Sequence, residues 1–189
     1  AQRILDFLYE NKFMIVYFTG GEPTLHPDLI SLLRYANRLG LVTSVTTNGT
    51  SPTTTIARLQ EAGLGALSVS LDHWSDEVCE RIRCHTGIKA KQEQKLRYAR
   101  RIGMRVYALA YLTPFLCEEG AVETFVHHVN DTLGIPVAFC FPTTCHENTY
   151  RLCGEGSDPE YARLRQTIQA ILRLKRDGHH ILNPTVYLE

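Results

Sequence analysis

The chain has 189 residues, 44% hydrophobic and 21% charged, enough for one globular domain with its own core. Its 20 basic and 20 acidic side chains cancel, and no basic run marks a nucleic-acid phosphate backbone as partner. No apolar stretch approaches the roughly 20 residues that cross a bilayer, and no charged start followed by an apolar middle marks a signal peptide.

Ala1 to Tyr9 reads as the middle of a helix, with Ile4, Leu5, Phe7 and Leu8 as its apolar set. Lys12 to Phe18 is a short apolar run, rich in β-branched and aromatic residues, that stops in Gly20-Gly21-Glu22-Pro23. Twin glycines permit a sharp turn and close ligand approach to the main chain, while Pro23 fixes φ and removes a donor. With the acid of Glu22, such a strand end suits a small zwitterion carrying a free ammonium; a plain strand-to-helix turn is the alternative. Helical spacing from Asp28 to Leu39 ends at Gly40, and Leu41 to Thr46 is strand-like. Thr53 to Ala62 is helical and stops at Gly63; Ala66 to Leu71 is a strand. Ser75 caps a short helix through Arg83, and Lys89 to Ile102 is a basic helix closing on Gly103. Met104 to Leu112 is a strand, Glu118 to Leu133 a helix, Pro136 to Phe141 the last apolar run, and Asp158 to Arg176 a helix closed by Gly178.

Five strands alternating with seven helical segments imply an α/β fold with a parallel sheet, either barrel-like or doubly wound. The first helix has no strand before it, so an opening strand is missing, and both ends read as cuts in a longer protein. Each strand ends in polar or conformationally special residues: Gly20-Gly21-Glu22, Thr46-Thr47-Asn48-Gly49, Ser70-Leu71-Asp72, Thr113-Pro114 and Pro142-Thr143-Thr144. The carboxyl ends of parallel strands form the ligand face in both architectures.

Thr19-Gly20-Gly21-Glu22-Pro23 resembles the GGEP motif of radical S-adenosylmethionine (radical SAM) enzymes. Thr47-Asn48-Gly49-Thr50 resembles that family's TNG segment, Ser68-Val69-Ser70-Leu71-Asp72 its SLD segment, and Asp76 to Arg83 the helix that follows. Order and separation agree from about Ala1 to Phe141. The resemblance implies a partial (β/α)6 barrel of parallel strands over residues 1–189, its first strand absent, with 143–189 as a C-terminal extension. It implies a [4Fe-4S] cluster held by a CxxxCxxC loop, S-adenosylmethionine on its open iron, and a 5′-deoxyadenosyl radical that takes hydrogen from a substrate. No CxxxCxxC occurs in this sequence, so the cluster ligands are expected upstream and the isolated chain is expected to be inactive.

By the same resemblance, Gly20, Gly21, Glu22 and Pro23 meet the methionine end of the cofactor, and Ser70 meets its ribose or carboxylate or is an inward-facing small residue of a crowded barrel. Asp72 bonds the ribose or caps the next helix. Asn48 is a ligand or a turn-former, and Phe139, Cys140 and Phe141 lie beside the adenine or form plain core strand. Glu22 is equally a helix-start acid. Tyr107, Tyr111 and Thr113 line a strand and are either lumenal or core. His127, His128, His179 and His180 offer no convincing acid or base. Cys140, Cys145 and Cys153, beside His146, are either free thiols or ligands of an auxiliary cluster or zinc. Flavodoxin or ferredoxin is the implied electron donor, the substrate is a small molecule or peptide, and the location is cytoplasmic. The alternatives are a catalytically inactive barrel serving as a scaffold, and an aldolase-like barrel, which requires a strand lysine that only Lys12 approaches.

Overall fold

Runs of Val, Ile, Thr and aromatic residues form β1 (Ile15–Phe18), β2 (Val42–Thr47), β3 (Ala66–Ser70), β4 (Val106–Tyr111) and β5 (Val137–Cys140). The computed structural model describes residues 1–141 and 159–188. The strands form one five-stranded sheet in the order β1-β2-β3-β4-β5, a parallel α/β arrangement. Parallel neighbours need long crossovers. These are supplied by α2 (Leu29–Arg38), α3 (Thr53–Glu61), the pair α4 (Asp76–Arg83) and α5 (Ile88–Arg101), and α6 (Ala121–His127). Strand order follows chain order without reversal. The sheet is therefore singly wound, as in a barrel, and lacks the switch point of a doubly wound sheet.

The chain divides into two compact units. The first comprises Ala1–Ser70 and Lys91–Val106. Here β1 pairs with β2 from Ile15↔Val42 to Phe18↔Val45, and β2 with β3 from Ser44↔Ala66 to Thr47↔Val69. Leu5 of α1 (Gln2–Glu10) packs with Leu32, Ala36 and Leu41, and Ile56, Leu59 and Leu96 are fully buried. Residues Lys12 to Met14 were expected in the first strand. Instead Lys12, at φ 61°, closes α1: its N–H reaches Tyr9 O and that of Phe13 reaches Leu8 O. That left-handed stop turns the chain before β1 can begin. No described strand contains a lysine, the residue that the aldolase-like alternative requires.

The second unit comprises Leu71–Ala90 and Tyr107–Glu189. β4 pairs with β5 from Ala108↔Val137 to Tyr111↔Cys140. The expected helix 118–133 is instead α6 followed by a π-helical turn, His128–Thr132, whose Leu133 N–H bonds His128 O. α7 (Pro159–Arg176) buries Leu164, Ile171, Leu172 and Leu174. After it, Ile181 makes a parallel bridge to Val137, and one turn of helix, α8 (Thr185–Leu188), follows Pro184. Among the described residues, no helix is long and apolar enough to cross a membrane.

Candidate functional site

The loop after β1 and the end of β2 are joined by one carboxylate. Glu22 is the N-cap of a 3-10 turn, Pro23–Leu25, and Pro23 fills the first position, where a missing N–H costs nothing. Glu22 Oε1 accepts from Thr24 N at 3.1 Å, from the Thr24 hydroxyl, and from Thr47 Oγ1 at 2.8 Å. Its Oε2 accepts from Asn48 N at 2.6 Å. Both carboxylate oxygens are thus satisfied by donors from its own loop and from the end of β2. Glu22 shapes the loop and caps a turn; its carboxylate is not a free anion facing a ligand.

Three glycines here have different reasons. Gly20 has φ 143°, a conformation closed to most side chains, with open space at its Cβ position. Gly21 has no positive φ, and a Cβ there would meet nothing within 4 Å. Gly49 has φ 79°, and a Cβ would lie 3.0 Å from Gln92 Cγ and 3.1 Å from Gln92 Cα. Asn48 precedes it as a turn-former: its Oδ1 accepts from Thr50 N at 2.9 Å and Thr50 Oγ1 at 2.6 Å.

Sequence reading missed Gln92, which lies on α5 outside every recognised motif. It is fully buried; Nε2 donates to Asn48 O at 3.3 Å, while Oε1 has no hydrogen-bond partner among the described residues. The only advance signal was a polar residue on the apolar side of an amphipathic helix, near Leu96 and Ala99. Ser70, the last residue of β3, is half-buried.

In the second unit Asp72, 1% exposed, is held by Arg83: Arg83 Nε donates to Oδ2 at 2.5 Å and Nη2 to Oδ1 at 2.9 Å. The helix cap considered for Asp72 belongs to Ser75, whose hydroxyl accepts from Val78 N at 3.5 Å. Next to Asp72, His73 stacks on Trp74 with ring centroids 3.7 Å apart, and its Nδ1 accepts from Ser75 N at 3.0 Å. Burial pushes the His73 pKa down to about 4, only partly opposed by the Asp72 charge, so the ring is neutral at pH 7. Cys79 donates to His73 O; burial first, then Asp72, raises its thiol to about 12. It is an inert structural thiol.

Phe139 is core: it is 2% exposed and meets Phe125 edge-on at 6.3 Å. Its main-chain edge, considered for an adenine, is occupied by Asn183, whose Oδ1 accepts from Phe139 N at 2.7 Å and whose Nδ2 donates to Phe139 O at 2.8 Å. Cys140 is half-buried, with its thiol pKa raised by burial. Cys145, His146 and Cys153 lie outside the described residues. Tyr107 and Tyr111 share the half-buried face of β4 with Leu109, whereas Thr113 is buried and its hydroxyl accepts from Leu116 N at 3.4 Å.

The radical SAM superfamily model matches residues 2–127. An AdoMet-dependent heme synthase of Oleidesulfovibrio alaskensis is 37% identical over 98 residues, covering 51% of this chain and 24% of that protein. A PqqA peptide cyclase of Rhodopseudomonas palustris is 30% identical over 104 residues, covering 54% of this chain and 28% of that protein. The chain thus spans about a quarter of these curated relatives. Among solved structures, Streptococcus suis SuiB bound to S-adenosylmethionine matches with a TM-score of 0.75 at 20% identity, over 95% of this chain and 41% of that one. With the GGEP-like loop, the TNG-like turn and the SLD-like segment each found at the end of a parallel strand, and with two thirds of its residues under the family model, this chain belongs to the radical SAM superfamily.

Proposed function

We propose that this chain is the S-adenosylmethionine-binding part of a radical SAM enzyme. The observation that carries the reading is the Glu22 clamp, which fastens the Gly20-Gly21 loop to Thr47 and Asn48 at the end of β2. A loop held this way offers main-chain groups in a fixed geometry to a zwitterion, with no reorganisation on binding. Gly21 leaves open space where a side chain would stand, and the buried Gln92 Oε1 is an unsatisfied acceptor beside the same turn; both fit a polar ligand.

In this reading Gly20 and Gly21 hold the methionine ammonium through the main chain, and the Ser70 hydroxyl bonds the ribose or carboxylate. Asn48 fixes the turn between them. Asp72 positions Arg83 and does not itself meet the ribose.

S-adenosylmethionine, if bound here, would supply radical chemistry that no side chain offers, and the Gly20-Gly21 main chain and Ser70 would hold it in place. The described residues do not fit the cluster itself: no CxxxCxxC occurs, and the described thiols are Cys79, Cys84, Cys117 and Cys140, widely separated in sequence. In this reading its ligands come from another segment; among the described residues β1 is an edge strand, beside which one more strand could pair. Free thiols fit a reducing compartment such as the cytoplasm, where flavodoxin or ferredoxin would donate electrons. One relative is named for heme and another for a peptide, so the shared stretch serves the cofactor and the substrate is chosen elsewhere.

The test is anaerobic expression of the full-length protein, iron reconstitution, and chromatography for 5′-deoxyadenosine after adding S-adenosylmethionine and dithionite. Product formation is expected. S-adenosylmethionine binding without product overturns the enzyme reading in favour of an inactive scaffold; no binding at all overturns the cofactor site.

A further inference from the structure

We propose that His127, Asp131 and His179 form a binding site for a divalent transition-metal ion of zinc-like chemistry. Each side chain offers one ligand atom, and the three atoms lie within 4.8 Å of one another. His127 Nδ1 is 2.8 Å from Asp131 Oδ2, and the His179 ring stands edge-on to that of His127 with centroids 4.7 Å apart.

The backbone delivers these groups by two separate devices. His127 ends α6, and Asp131 lies in the π-helical turn His128–Thr132, a local over-wide winding that re-aims side chains and recurs at functional sites. His179 arrives from a stretch 48 residues later than Asp131 (179 − 131), just past Gly178 at φ 94°, with its own N–H on Leu174 O. Asn130 ties the two stretches together: its Oδ1 accepts from His180 N at 2.7 Å, and its Nδ2 donates to Ile135 O at 2.9 Å. His180 O in turn accepts from Val137 N at 2.9 Å. The main chain is therefore pinned on both sides of the cluster before any ligand arrives.

A His127–Asp131 ion pair explains two of the three groups. It gives no reason for a second imidazole at the same point. One metal ion satisfies all three. Ligand atoms about 2.0–2.2 Å from zinc lie a little over 3 Å apart, so side-chain rotations of about an ångström close the site. Imidazole ligands favour zinc, cobalt, nickel or copper over magnesium and calcium. His127 and Asp131 are exposed, which leaves water to complete the coordination. The bound ion would clip the π-helical turn to the segment that carries Ile181 and Asn183 onto β5.

The experiment titrates cluster-loaded full-length protein with Zn2+ against a chromophoric chelator, and separately with Co2+ followed in the visible. Wild type is expected to take about one equivalent more than His179→Ala, with affinity weakened about tenfold or more in Asp131→Asn. The cobalt signal is expected as d–d bands without thiolate charge transfer. Zinc is also expected to raise the midpoint of thermal unfolding in wild type and not in the variants. Equal metal uptake by wild type and variants, or a cobalt signal carried by thiolate, overturns the proposal. Should neither variant fold, wild type alone decides: absence of nitrogen- and oxygen-type cobalt bands rejects the site.

Discussion

Glu22 follows β1 and Asp72 follows β3, and the oxygens of the two acids are satisfied by different means. Glu22 is half-buried and is satisfied by two main-chain N–H groups and two hydroxyls drawn from two strand ends. Asp72, 1% exposed, is satisfied by a single guanidinium on α4, and the buried neutral His73 and the inert Cys79 thiol stand beside it. The first arrangement spreads a charge over dipoles and fixes a loop. The second confines a charge pair and fixes a helix to a strand end. An acid at the carboxyl end of a strand is therefore not by itself a ligand group; its donors decide what it does.

The largest effect that would sharpen this contrast is expected from Asp72→Ala. It removes the carboxylate to which the Arg83 guanidinium, on a side chain 33% exposed, donates twice, and should cost about 3 kcal/mol in urea unfolding. The double change Asp72→Leu with Arg83→Met should recover most of that loss, and failure to recover would mean the pair does more than neutralise itself.

His73 gives the next effect, through pH. Above about pH 6.5 the ring is neutral folded and unfolded, so it contributes nothing. Below that the unfolded chain binds a proton that the fold refuses, and stability falls until about pH 4, by roughly 2–3 kcal/mol. Comparing wild type with His73→Gln over this window isolates the loss, and identical pH profiles would remove the assignment.

At the other acid, Glu22→Gln keeps the shape but turns an NH2 toward one of its donors. It should cost about 1–2 kcal/mol and weaken S-adenosylmethionine binding about tenfold in equilibrium dialysis. If affinity is unchanged, the clamp is purely structural.

Gly21→Ala is the smallest in stability and the most specific. With nothing within 4 Å of its Cβ, the fold should change by less than about 0.5 kcal/mol, while S-adenosylmethionine affinity falls. Gly49→Ala, blocked by Gln92 and by φ 79°, serves as the contrast, because it must lose stability as well.

The sequence by itself determined the alternation of strands and helices and the position of each motif at a strand end. Periodicity, β-branching and glycine stops act over a few residues and need no distant partner. It also contained the family resemblance, because those motifs are continuous. What only the tertiary structure decided were the partners: Arg83 for Asp72, Gln92 beneath Gly49, Asn183 along the edge of Phe139, and His179 beside His127. Most of these pairs are separated by more than forty residues, so no local period announces them. They arise because packing brings buried polar atoms together and each must then find a donor or an acceptor.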